Sequence, residues 1–152
     1  MCLSGSSGQG HSSTRQGKIV SEFRNIRILL IEDQLFIRSM TARMLGGIGF
    51  KEVLQARDGQ EALELLAKTG SPVDVILCDL KMPNMDGFAF VKALRETPVS
   101  TAEIPVIALT ASSDAEDVHK LRELGISGYI VKPASIQMIV ARVRSALRAA
   151  KK

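Results

Sequence analysis

At 152 residues, 45% of them hydrophobic and 24% charged, the chain has the size and composition of one ordinary soluble domain, and no apolar run approaches membrane-spanning length. The formal charge of +4 misleads if read globally: residues 26–134 carry twelve Lys/Arg against fifteen Asp/Glu, while residues 135–152 carry five Lys/Arg and no acid. A basic excess on a last helix and chain end, with no Trp and Tyr129 as the one Tyr, argues against a nucleic-acid partner. The start lacks the charged-then-apolar layout of a secretory signal, and two cysteines, Cys2 and Cys78, make no disulfide framework. Free thiols fit the cytoplasm.

Residues 1–22, rich in Gly and Ser and without apolar period, read as a disordered leader or expression remnant; the fold is expected over residues 24–150. Ile26–Ile31 is a strand ending in Glu32 and Asp33. Leu35–Leu45, with Phe36, Ile37, Met40 and Leu45 on helical spacing, is a helix stopped by Gly46 and Gly47. Glu52–Ala56 is a short strand, and Gly59–Lys68 a helix with Ala62, Leu65 and Leu66 inward. Asp74–Cys78 is a buried central strand running into Asp79, with Pro83 and Gly87 marking the loop beyond. Gly87–Glu96 is a helix with Phe88, Val91 and Leu94 on one face.

Pro105–Leu109 is the fourth strand, ending at Thr110. The next helix, capped by Ser112 or Ser113 with Glu116 closing a capping box, runs to Leu124 and stops at Gly125. Gly128–Val131 is the fifth strand, ending at Lys132 and Pro133. The last helix, Ser135 to about Ala149, carries Ile136, Ile139, Val140, Val143 and Leu147 as its stripe. Five strand–helix units in alternation predict an α/β fold: a doubly wound, five-stranded parallel sheet with five helices.

In such a sheet the strand ends share one edge, where ligands bind. Glu32, Asp33, Asp79, Thr110 and Lys132 all fall there. Clustered carboxylates repel unless a cation sits among them, and oxygen ligands without His or Cys select a hard ion such as Mg2+. A hydroxyl and an ammonium suit phosphoryl oxygens. Carboxylate nucleophile, divalent metal, hydroxyl and ammonium together make a phosphoryl-transfer site with a covalent aspartyl phosphate.

From about Asn25 to Ala150 the chain resembles the receiver domain of bacterial two-component response regulators, the CheY-like family with its flavodoxin-like sheet. The resemblance rests on Ile31-Glu32-Asp33, Leu77-Cys78-Asp79-Leu80-Lys81-Met82-Pro83, Met85-Asp86-Gly87, Ala108-Leu109-Thr110-Ala111 and Tyr129-Ile130-Val131-Lys132-Pro133, in that order. It implies that Asp79 is the phosphoacceptor. Asp33 would bind Mg2+ directly, Glu32 mostly through water, and Lys81 by its backbone carbonyl. Thr110 and Lys132 would bind the phosphoryl group, the peptide before Pro133 would be cis, and Tyr129 would move with Thr110 as the switch. Lys81 and Ser112 would flank the route of an attacking water and tune the lifetime of the phosphoryl group.

The implied partners are a sensor histidine kinase or histidine phosphotransfer protein, and a downstream target reached through the fourth helix, fifth strand and fifth helix. With Lys151 and Lys152 alone after the last helix, a stand-alone regulator in chemotaxis or a phosphorelay is expected, catalysing its own phosphorylation and dephosphorylation without turnover of a substrate. Three rivals stand beside it. A degenerate receiver would act as a phosphorylation-independent interaction module. A phosphohydrolase would want a second Asp where Lys81 stands. A flavin-binding protein would want Ser, Thr and Gly where Glu32-Asp33-Gln34 stands.

Overall fold

The computed structural model describes residues 22–68, 72–111 and 115–150. Five strands, β1 (Arg27–Ile31), β2 (Glu52–Ala56), β3 (Val75–Asp79), β4 (Val106–Thr110) and β5 (Gly128–Val131), form one parallel sheet in the order β2-β1-β3-β4-β5. The helices between and after them are α1 (Leu35–Ile48), α2 (Gly59–Lys68), α3 (Gly87–Arg95), α4 (Ala115–Glu123) and α5 (Ile136–Ala150), with one extra helical turn at Val99–Ala102. This is the doubly wound parallel sheet the alternation predicts, in the flavodoxin-like order the resemblance implies. No helix among the described residues is long and apolar enough to cross a membrane.

Strand residues alternate between two cores because successive side chains point to opposite faces. Ile28, Leu30, Val75, Leu77, Ile107, Leu109 and Ile130 meet Leu45 and Ile48 of α1 and Ile139, Val140 and Val143 of α5. Leu29, Ile31, Ile76, Cys78 and Val106 meet Ala62 of α2 and Phe90, Val91 and Leu94 of α3. A smaller cluster on that second face, Leu80, Ala108 and Leu121, lies under α4. The crevice of such a sheet falls where strand order reverses, here between β1 and β3, beside the end of β3 that carries Asp79.

Several local expectations are corrected. Gly46 and Gly47 do not stop α1. The helix continues to Ile48 and ends at Gly49, whose φ of 105° is the left-handed cap geometry. Two mid-helix glycines cost about 1 kcal/mol each, and burial of Ile48 offsets much of that. Phe36 and Met40 fit the helical period but are 74% and 52% exposed, so the apolar spacing there marks a surface.

On α3 it is Phe90 that is fully buried, whereas Phe88 packs half-buried over the small cluster. Two residues apart on a helix, these rings face nearly opposite ways, and helical spacing with Leu94 suits either. At the N-terminal end the ordered contacts reach back past the expected boundary. Phe23 is buried and stacks on Phe50 with ring centroids 5.0 Å apart. Glu22 takes two hydrogen bonds from the Arg144 guanidinium, at 2.6 and 2.9 Å. The leader reading for residues 1–21, and the capping box at Ser112 or Ser113, lie outside the described residues.

Candidate functional site

The site is assembled from the ends of three strands. Glu32 follows β1, and its backbone N–H donates to the Ala56 carbonyl at 3.0 Å, which carries the β1–β2 pairing one residue further. Its side chain is 1% exposed, with one carboxylate oxygen accepting the Gln34 N–H at 3.2 Å. Arg38, one turn into α1, donates to the Glu32 carbonyl at 2.8 Å. Asp79 closes β3, also buried, and accepts a long bond from the Lys81 N–H at 3.4 Å. The Lys132 N–H donates to the Thr110 carbonyl at 2.8 Å, and the Lys132–Pro133 peptide is cis.

These ends bring Lys132 Nζ to 3.1 Å from Glu32 Oε1 and 3.2 Å from Asp79 Oδ2. Glu32, Asp33 and Asp79 each present an oxygen, all within 4.8 Å of one another. Residues 100 positions apart thus form one cluster of three carboxylates and one ammonium.

Burial pushes the Glu32 carboxyl up to about 7; the Gln34 N–H opposes this, and the charge of Asp79 adds to it. For Lys132, burial by itself favours the neutral amine. The charges of Asp79 and Glu32 outweigh it, so the ammonium is held above its ordinary range. Cys78 is buried, its thiol pushed up by desolvation, and its Sγ lies 3.2 Å from the Asp79 carbonyl. It is a core residue rather than a reactive one.

One ammonium does not neutralise three carboxylates, and the ligands are all oxygen. That is the donor set a small hard cation takes. A divalent ion there would also offset the repulsion between Glu32 and Asp79. The residues present fit Mg2+.

Thr110, at the end of β4, is buried. Tyr129 pairs in register with Ala108, two residues before Thr110 on β4, so Tyr129 and Thr110 share the face covered by α4. The Lys81 side chain points to solvent. Ser112 lies outside the described residues.

Beyond Lys132, on the opposite face, a groove of about 400 Å3 runs between α1 and the loop that leads from β5 into α5, lined by Ile37, Met40, Met44, Pro133 and Ala134. Sequence reasoning missed Arg38 and two further residues: Asp58, a buried carboxylate at the start of α2, and Asn84, which donates to it at 3.1 Å. An acid followed by Gly at a helix start is a capping signal that points to Asp58; nothing local points to Asn84 as its partner.

The sheet order and a strand-end acidic cluster facing a lysine define a class of phosphoryl-handling α/β proteins. The family model for the response regulator receiver domain matches residues 28–144. A probable chemotaxis protein CheY of Rhizobium etli is 31% identical over 126 residues, covering 83% of this chain and 95% of that protein. A probable transcriptional regulator ycf27 of Porphyridium aerugineum is 40% identical over 122 residues, and there the match spans 48% of the relative's length.

Among solved structures, chemotaxis protein CheY4 of Vibrio cholerae superposes with a TM-score of 0.73 at 33% identity, covering 81% of this chain and 99% of that one. A receiver domain protein of Clostridium thermocellum gives 0.74 at 26% identity, covering 83% and 97%. The chain belongs to the response regulator receiver domain family.

Proposed function

We propose that this chain is a phosphoryl-accepting switch that takes its phosphoryl group from a phosphohistidine donor onto Asp79. The observation that carries the reading is the Lys132 ammonium, which touches both Glu32 and Asp79 at the crevice of the sheet. In this reading Glu32, Asp33, Asp79 and the Lys81 carbonyl would hold Mg2+, which would supply charge neutralisation for the phosphoryl oxygens. A carboxylate oxygen of Asp79 bonds to phosphorus as the donor's phosphorus–nitrogen bond breaks, and the imidazole leaves with that bond's electron pair. Lys132 turns from bridging the two carboxylates to pairing with a phosphoryl oxygen, and the Thr110 hydroxyl bonds to another.

Drawing Thr110 toward the phosphoryl group changes the space beneath it on the face it shares with Tyr129. Tyr129 then moves inward and alters the surface of α4, β5 and α5 that a target protein reads. The donor, a histidine kinase or histidine phosphotransfer protein, is proposed to lay an apolar helix face on α1. There Leu35, Phe36 and Met40 are exposed beside the groove that ends at Lys132. The proposed setting is the cytoplasm, in chemotaxis or a phosphorelay. The reaction is self-catalysed and single-round, with Lys81 and Ser112 setting the lifetime of the acyl phosphate.

Intact-mass measurement after incubation with acetyl phosphate tests the reading. The expected result is a gain of one phosphoryl group that requires Mg2+ and is absent in Asp79→Asn. Failure to take up phosphoryl from either acetyl phosphate or a phosphorylated phosphotransfer protein would leave a phosphorylation-independent interaction module.

A further inference from the structure

The segment between β3 and α3 contains Lys81, whose carbonyl the reading above assigns to the metal ion, and residues 81–85 belong to no strand or helix. Its base is closed by Leu80 N–H donating to the Leu109 carbonyl at 3.1 Å and Gly87 N–H donating to the Leu80 carbonyl at 2.9 Å. Between those ends, the Lys81 N–H reaches Asp79 at only 3.4 Å. The far side of the loop is tied elsewhere, to the corner between β2 and α2. Asn84 Nδ2 donates to Asp58 Oδ2 at 3.1 Å, and Gly59 N–H donates to the Met85 carbonyl at 3.3 Å.

Asp58 is 6% exposed, and its other oxygen accepts the Glu61 N–H at 2.8 Å. That backbone bond first, and Asn84 second, hold its carboxyl below the usual range. Capping α2 needs one oxygen; the second, aimed at Asn84, is not explained by the cap. Asn84 itself has φ of 68°, the one non-glycine residue with positive φ among the described residues, and a short amide side chain is among the few that tolerate it. The contact is also close-packed: a Cβ at Gly59 would meet Met85 Cγ at 2.8 Å and Phe90 Cβ at 2.9 Å.

We propose that Asp58 is a positioning residue for the acceptor site, holding through Asn84 the loop that presents the Lys81 carbonyl. The inference rests on the reading above in that this carbonyl must serve a metal ion. It makes the α2 corner, outside the cluster of carboxylates, part of what sets metal affinity.

The test is Mg2+ titration by calorimetry on wild type, Asn84→Ala, Asn84→Asp and the swap Asp58→Asn/Asn84→Asp, with urea midpoints measured on each. Every one of these keeps an oxygen at position 58 for the Glu61 N–H. Asn84→Ala and Asn84→Asp are expected to weaken Mg2+ binding about tenfold, the scale of lost support around metal ligands. For Asn84→Asp this runs against simple electrostatics, since an added negative charge nearby would strengthen cation binding. The swap rebuilds the bond with donor and acceptor exchanged and is expected to return affinity to near wild type. Unchanged Mg2+ affinity in both single variants, or no recovery in the swap, overturns the inference while leaving the phosphoacceptor reading intact. No Mg2+ binding by wild type overturns that reading instead, and this inference with it.

Discussion

The two flanks of Asp79 are built to different standards. On the β1 flank, Glu32 is held from four directions: the Ala56 carbonyl, the Gln34 N–H, the Arg38 guanidinium and the Lys132 ammonium. On the β4–β5 flank, Thr110 and Tyr129 overlie a cluster with three buried members, Leu80, Ala108 and Leu121. Within residues 117–123 of α4, Leu121 alone is buried, whereas α5 buries Ile139, Val140, Val143 and Ala146. The flank that must hold like charges together is over-determined. The α4 face of the flank proposed to respond is thinly packed, which is where low-energy rearrangement is found.

The largest expected effect breaks the comparison at its centre. Asp79→Asn should abolish phosphoryl uptake in the intact-mass assay while preserving the strand, because the amide is isosteric. Uptake that persisted would place the acceptor on another carboxylate of the cluster.

Next in size are two truncations that weigh the two faces directly. Ile139→Ala, at a fully buried position in the larger core, should cost about 4 kcal/mol of unfolding free energy by urea denaturation. Leu121→Ala, in the small cluster with half-buried neighbours Phe88, Ile126 and Tyr129, should cost about 2 kcal/mol. Leu121→Ala should also broaden amide NMR signals along α4 and β5. Equal costs would mean that the α4 face is as firmly packed as the α5 face, and the contrast would fail.

Much of this was legible in the sequence, for identifiable reasons. Buried parallel strands have no polar alternation to blur them, so β1, β3 and β4 are placed to within a residue. Parallel topology then forces their ends to one edge, which is why Glu32, Asp33, Asp79, Thr110 and Lys132 could be grouped before any distance was known. What failed were choices among apolar residues. Helical spacing cannot distinguish a core stripe from an exposed one, so the spacing of Phe36 and Met40 does not tell that both face solvent. It likewise did not choose Phe90 over Phe88. The continuation of α1 through Gly46 and Gly47 depends on Ile48 finding a place in a core assembled from distant strands. The Asp58–Asn84 bond spans 26 residues and carries no local signature.

A smaller effect concerns acid. Asp58→Ala should cost about 1–2 kcal/mol at neutral pH, the worth of a lost helix cap, with the Asn84 bond lost as well. Because the folded carboxyl lies below its ordinary value, its contribution is fully present above the unfolded value of about 4. It disappears as pH falls through the lower folded value. The gap between wild type and variant should therefore narrow below about pH 4, measured by urea midpoints across pH. A gap that is constant down to pH 2 would show that the ionised form is not what the loop uses.

The smallest effect tests whether the two flanks are separable. Lys81 contributes its backbone to the loop after Asp79, but its side chain is exposed, so replacing it should leave the loop in place. A lysine beside the proposed acceptor cannot take a proton from an attacking water, whereas an amide can help orient one. Lys81→Asn should therefore hydrolyse the acyl phosphate several-fold faster, within about 1.4 kcal/mol of barrier, as followed by loss of the phosphoryl mass with time. Its urea midpoint should not move. The amide shifts induced at Thr110 and Tyr129 by beryllofluoride, an acyl-phosphate mimic, should match those of wild type, because this side chain acts on lifetime and not on the response. Altered shifts at Tyr129 in this variant would mean that the loop beside Asp79 and the α4 face move as one body, and that the held flank and the responsive flank are a single element.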